Sequence, residues 1–120
     1  MRHLPSPLLL LVVISRFKNG VEIQELIEVV EELQRRGFNL GYTFVPLIRL
    51  RMSREMILDL NLLKVLGLVV EMNGKISVTE KALSLISKLN SRSAVVKGLV
   101  SAVDTLIMQR KRLREGLFSS

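Results

Sequence analysis

Cysteine is absent from the 120 residues, which excludes a disulfide framework, a thiolate zinc site and a cysteine nucleophile. Histidine occurs once, as His3, in a terminus expected to fray. No histidine cluster is therefore available to a metal, and no imidazole stands ready as general base in a packed site. Aromatic residues make up 4% of the chain, too few for a platform on which single-stranded bases stack. A glycine-rich phosphate loop, a G-x-S-x-G elbow and an H-E-x-x-H helix are all missing. Glu28 with Glu31 or Glu32 comes nearest to a carboxylate pair, and that spacing belongs to a solvated helix face. The chain is expected to be no enzyme and to need no cofactor or metal. A long apolar run is missing too: "PLLLLVVI", Pro7 to Ile14, stops at Arg16, short of the roughly 20 residues that span a bilayer. Without a small-residue cleavage site, it reads as the buried first helix of a soluble, cytoplasmic protein.

What the chain does have is positive charge. Its net charge is +7, unevenly spread. Residues 21–37 carry five Glu against Arg35 and Arg36, whereas the last thirty residues hold Arg92, Lys97, Arg110, Lys111, Arg112 and Arg114 against Asp104 and Glu115. Such a balance suits a polyanionic partner and says nothing of fold.

The length fits one compact unit of the usual size, with roughly 100 to 200 residues per domain. After Pro5 and Pro7 a helix of about ten residues should end near "FKNG", at Asn19 and Gly20. In "VEIQELIEVVEELQRRG", Ile23, Leu26, Ile27, Val30 and Leu33 share one helical face, and Gln24, Glu28, Glu31 and Arg35 the other. Acids early and arginines late suit the helix dipole, and the acidic face should point outward, away from any phosphate backbone. "FNLGYTFVPLIRLRM" reads as an extended connector or as a short helix beginning at Pro46, and the helix is preferred. Ser53 then caps "REMILDLNLLKVLG", with Met56, Leu60 and Leu63 facing the core and Gly67 ending the helix.

Past Gly67, "LVVEM" is rich in β-formers, Asn73-Gly74 suits the two positive-φ positions of a type I′ turn, and "KISVT" returns with Ile76 and Val78 in alternation. Thr79 caps a further helix. The stretch "SREMILDLNLLKVLGLVVEMNGKISVTEKAL" resembles the signature of winged helix-turn-helix regulators, including the MarR-like and PadR-like proteins of archaea and bacteria. Leu60, Leu63, Gly67, Leu68, Val69 and Thr79 carry that likeness across about residues 43–89. Ala82 stands where those families often have glycine, and the hairpin tip offers Lys75 alone, where inserting wings are longer and carry arginine. The resemblance implies a mainly α fold with a small β-hairpin, a winged helix-turn-helix over residues 1–90, and a C-terminal helix over residues 91–120.

On the helix that would read DNA, Arg54, Leu58, Asn61 and Val65 lie opposite the core residues. Arg54 and Asn61 could reach phosphates or base edges, Arg49 and Arg51 could clamp the backbone, and Lys75 would follow from the wing. Leu58, Leu62 and Val65 suit a protein partner better than base edges. From Ser93 onward Val96, Leu99, Val103, Leu106, Arg110 and Leu113 recur at three and four residues, an a/d seam. That seam would join two copies in a homodimer or fold back over the N-terminal helix. The tail cations Arg110, Lys111, Arg112 and Arg114 could add phosphate contacts, lie on an anionic membrane or complement the helix dipole; no aromatic-rich apolar face or lipidation motif supports the membrane. The sequence thus favours a dimeric winged-helix protein that binds double-stranded DNA, with a protein-interaction module as the alternative.

Overall fold

The computed structural model describes residues 4–47 and 50–118, with His3 and Arg49 outside that range. Helix α1, Ser6–Ser15, places Pro7 in its first turn, where the missing N–H costs no helical hydrogen bond. Leu10, Leu11, Val12, Val13 and Ile14 are consecutive and all fully buried. At about 100° per residue, five consecutive side chains sweep every side of a helix, so α1 has no face to offer water. It is enclosed by the helices α3, Arg54–Val65, α4, Glu80–Arg92, and α5, Ala94–Phe118, and by the strand β4, Lys75–Val78.

Helix α2, Ile23–Arg35, buries Leu26, Ile27, Val29, Val30 and Leu33, the face that its spacing predicts together with Val29. The next segment departs from expectation. In place of a short helix at Pro46, strands β1, Val45–Leu47, and β2, Leu50–Met52, pair antiparallel, with Pro46 opposite Arg51. Val45 precedes a proline, which bars the helical region and favours extended backbone. In a ribbon of two strands both are edges, so Pro46 can sit where no N–H is needed.

Ser53 opens α3 and Thr79 opens α4, as read from the sequence. Between them β3, Val69–Met72, pairs antiparallel with β4 across Asn73 (φ 54°) and Gly74 (φ 78°), both positive as a type I′ turn requires. Val21 adds a third strand-like contact: its N–H donates to the Ile76 carbonyl at 2.9 Å and its carbonyl accepts from the Ile76 N–H at 2.8 Å. Ala82 is fully buried, and a small residue there keeps α4 close to the core.

The chain breaks at Ser93, whose hydroxyl accepts the Val96 N–H at 3.3 Å, and α5 then runs back across the molecule against α1, α2 and α4. Val96, Leu99, Val103 and Leu106 are buried in the same core as α1. The structure thus corrects the placement of these four in a dimer interface: the fold-back alternative is realised, because the apolar wall that α1 needs is the one that α5 carries. Leu113, the last of the seam, is 69% exposed. No helix among the described residues is long and apolar enough to cross a membrane.

Two glycines separate steric demand from helix propensity. At Gly20 (φ +82°) an added Cβ would lie 2.7 Å from Ser77 Oγ and 3.1 Å from the Ile76 carbonyl, because the chain passes close to β4 there. Gly20→Ala should lower unfolding free energy by roughly 1 to 3 kcal/mol. Gly98 lies inside α5 with nothing within 4 Å of an added Cβ, and Gly98→Ala should raise it by about 1 kcal/mol. Urea titration of the two variants checks both signs.

Candidate nucleic-acid interface

A surface helix can present side chains to a partner only if its own orientation is fixed. At its N-terminus the Ser53 hydroxyl accepts the Met56 N–H at 3.2 Å, and Ser53 is itself buried. Glu55 accepts the Thr43 N–H at 3.0 Å, which holds its carboxyl below the usual carboxylate range. One turn on, Asp59 Oδ2 accepts from the Tyr42 hydroxyl at 2.6 Å and from Ser6 Oγ at 2.7 Å. Burial, reinforced by that carboxylate, pushes the Tyr42 phenol well above its usual range. The Gln34 amide meets the Tyr42 backbone twice, accepting its N–H and donating to its carbonyl, each at 2.9 Å. Through Tyr42 and Asp59, α3 is thus fastened to α1 and α2.

The face that results is mixed. Met56, Leu60 and Leu63 point into the core. Arg54, Leu58, Asn61 and Val65 point out, with Leu58 63% and Val65 84% exposed. Ile57 and Leu62 extend the apolar part on either side. Arg54 and Asn61 make no hydrogen bond or ion-pair contact among the described residues, Arg54 acting on its neighbour Glu55 only through the field, whereas Lys64 is bound to Glu71 of β3 at 2.7 Å.

Elsewhere, many arginines are occupied. Arg51, on β2, meets Glu31 at 2.7 Å, and Glu31 is only 13% exposed. Arg35 and Arg36 share Glu32, lowering its pKa, and Arg16 meets Asp104 through two hydrogen bonds that raise the guanidinium pKa. Arg110 donates to Glu28 at 2.5 Å and lies 3.7 Å from Glu25, while Arg114 meets Glu25 at 2.5 Å. The acidic face of α2, read from the sequence as solvated, is therefore covered by arginines from α5 and β2. A complementary spacing carried the signal: Glu25 and Glu28 are three residues apart, Arg110 and Arg114 four, each pair on one side of its helix.

Of the residues expected on DNA, Arg54, Asn61, Lys75, Lys111 and Arg112 are exposed and unpaired among the described residues, Arg51 and Arg110 are paired to acids, and Arg49 lies outside the described range. Lys18, Lys88, Arg92 and Lys97 are further exposed cations without an acidic partner among the described residues, which the sequence reading did not place on DNA. A shallow groove of about 410 Å³ brings Lys75 at the hairpin tip beside Arg110, Arg114, Glu25 and Glu28. Arg54 and Asn61 do not line it. Among the described residues no three His, Cys, Asp or Glu come together as metal ligands. Comparison with known proteins adds nothing to the geometry: no family model, no curated protein and no solved structure matches the chain.

The fastening of α3 can be weighed directly. Tyr42→Phe removes one donor to Asp59 and leaves Ser6 in place, so stability should fall by about 1 kcal/mol. Ser53→Ala removes the cap of α3 and should also cost about 1 kcal/mol. Equilibrium denaturation of both variants checks this; no loss in either would mean that packing alone orients α3.

Proposed function

We propose that the chain is a winged-helix protein that binds double-stranded DNA in the cytoplasm and acts in regulating transcription, with α3 at the major groove and the β3–β4 hairpin as a short wing. The order α1, Val21, α2, α3, hairpin is the support for the winged-helix reading. One observation carries the DNA reading: among the described residues eight of the eleven carboxylates are engaged inside the chain, all but Glu22, Glu80 and Glu115, while Arg54, Lys75, Lys111 and Arg112 make no ion-pair contact. The surplus charge is thus offered to solvent as unneutralised cations. Arg54 and Asn61 are the residues suited to base edges; Lys75, Lys111 and Arg112 suit phosphates. Pairing of two copies is part of the proposal, and it must use surfaces other than the buried seam, such as that around Leu113.

Fluorescence anisotropy against a random duplex at several salt concentrations tests this, with sizing in parallel. Neutralised phosphates release counterions, so affinity should fall steeply between roughly 50 and 200 mM salt. Lys75→Ala should reduce the slope of log K against log salt by about 1, whereas Arg54→Ala should weaken binding by about 1 to 3 kcal/mol with little change of slope. An affinity that ignores salt would refute DNA binding.

A second reading has its own observation. The exposure of Leu58, Leu62 and Val65 along one face of α3 favours a protein partner there. Leu58→Ser with Leu62→Ser distinguishes the two. Weakened duplex binding in a folded variant supports DNA at α3, whereas unchanged duplex binding with loss of a protein partner supports the second reading.

A further inference from the structure

The last turns of α5 have little to hold them but charge. Leu106 is the final buried residue of the seam, Ile107 packs half-buried against the same core, and from Met108 to Gly116 no residue is buried. Over that length several bonds run to α2 and its C-cap: Arg110 to Glu28 and Glu25, Arg114 to Glu25, and Arg36 to Gln109 at 3.2 Å. Exposed ion pairs of this kind contribute little and weaken as salt rises. Arg110 is also imperfectly served. Its Nε is buried without a hydrogen-bond acceptor, Glu25 Oε2 lying 3.7 Å away, so the closed arrangement leaves a charged donor unsatisfied.

We propose that the end of α5 is a second phosphate-binding arm, and that Glu25 and Glu28 of α2 hold it closed by occupying Arg110 and Arg114 in place of phosphates. This rests on the DNA-binding reading. Lys111 and Arg112 are already exposed and unpaired among the described residues, so the closed arm presents two of its four cations free and holds the other two neutralised by carboxylates. A duplex approaching the wing meets the latch at once, since Lys75 lines the same groove as Arg110, Arg114 and the two carboxylates. Phosphate oxygens then compete with Glu25 and Glu28 for the guanidinium groups. A phosphate offers several acceptors to a planar fork that makes poor use of those it has. Release of the arm leaves the core intact, because the apolar seam ends at Leu106.

Glu25→Gln/Glu28→Gln opens the latch without touching a cation. Glu80→Gln/Glu115→Gln makes the same change of net charge at two exposed carboxylates that lie outside that groove and have no partner among the described residues, and so controls for general electrostatics. In the absence of DNA, amide hydrogen exchange of residues 108–116 should be at least threefold faster in the latch variant than in wild type and in the control, with residues 96–106 unchanged. With duplex at about 0.1 M salt, the latch variant should bind threefold to tenfold tighter than the control, and its salt slope should steepen by about 1 to 2, since each freed cation adds about 0.9. Adding Arg110→Gln/Arg114→Gln to the latch variant should abolish the gain. Equal gains in latch variant and control would overturn the arm, as would unchanged exchange of residues 108–116. A wild-type chain that binds duplex in a salt-dependent way, beside a latch variant with the same affinity and slope, would overturn the arm and leave the DNA reading standing. A wild-type chain that binds no duplex would bring down both.

Discussion

The burial of α1 is the constraint from which the rest of the arrangement follows. Its apolar side chains point in every direction, and a helix without a polar face is stable only when surrounded. Burying each of Leu10, Leu11 and Ile14 contributes roughly 1.5 to 3 kcal/mol relative to exposure, so leaving even one side of α1 open would forfeit several such terms. The walls come from α3, α4, α5 and β4. Each of those elements therefore has one face committed to the core, and each can offer a partner only its other face.

That commitment decides what α5 does. The apolar recurrence along it suits a partner helix as well as it suits the chain's own core, and nothing in its spacing distinguishes the two. Enclosure of α1 does, because α5 supplies a wall that no other segment replaces. Once Val96, Leu99, Val103 and Leu106 lie inside, the orientation of α5 is set, and the positions a turn beyond Leu106 are brought over α2. Arg110 and Arg114 then meet Glu25 and Glu28 as a consequence of apolar packing begun elsewhere. The acid–base contact is too exposed to have driven the fold; it lies where the apolar seam has run out, which makes it the part of the interface most sensitive to salt and to competing anions.

Much of this could be read in the residues, for identifiable reasons. The caps at Ser53 and Thr79, the Asn73-Gly74 turn and the apolar faces of α2 and α3 depend on side chains a few positions apart, and local chemistry specified them. The ribbon of β1 and β2 was legible only in part, because Val45 and Pro46 favour extended backbone while Pro46 could equally open a helix. Long-range pairing was hidden. Nothing near Tyr42 in the sequence announces Asp59 or Ser6 as its partners, and nothing near Arg51 announces Glu31. The candidate site suffered most from this: Arg51 has the same sequence character as Arg54 and Lys75, and differs from them only in which carboxylate the fold brings near.

The face of α3 makes two demands that pull apart. Leu58, Leu62 and Val65 cost little where they are, since scattered exposed apolar residues are ordinary on protein surfaces. In a major groove they would displace water from base edges without returning hydrogen bonds, and the one apolar target there is the thymine methyl. A DNA-reading α3 would therefore draw its base discrimination from Arg54 and Asn61, with the apolar side chains tolerated beside thymine and disfavoured beside guanine or cytosine. So small a polar set gives limited sequence selectivity, at about 1 to 3 kcal/mol for each good bidentate contact. Most of the affinity would have to come from phosphates, through unpaired cations spread over the wing tip and the end of α5. On that reading, the few polar side chains of α3 and the unneutralised cations of the wing tip and of α5 would belong together: binding carried by the backbone, with sequence a secondary refinement.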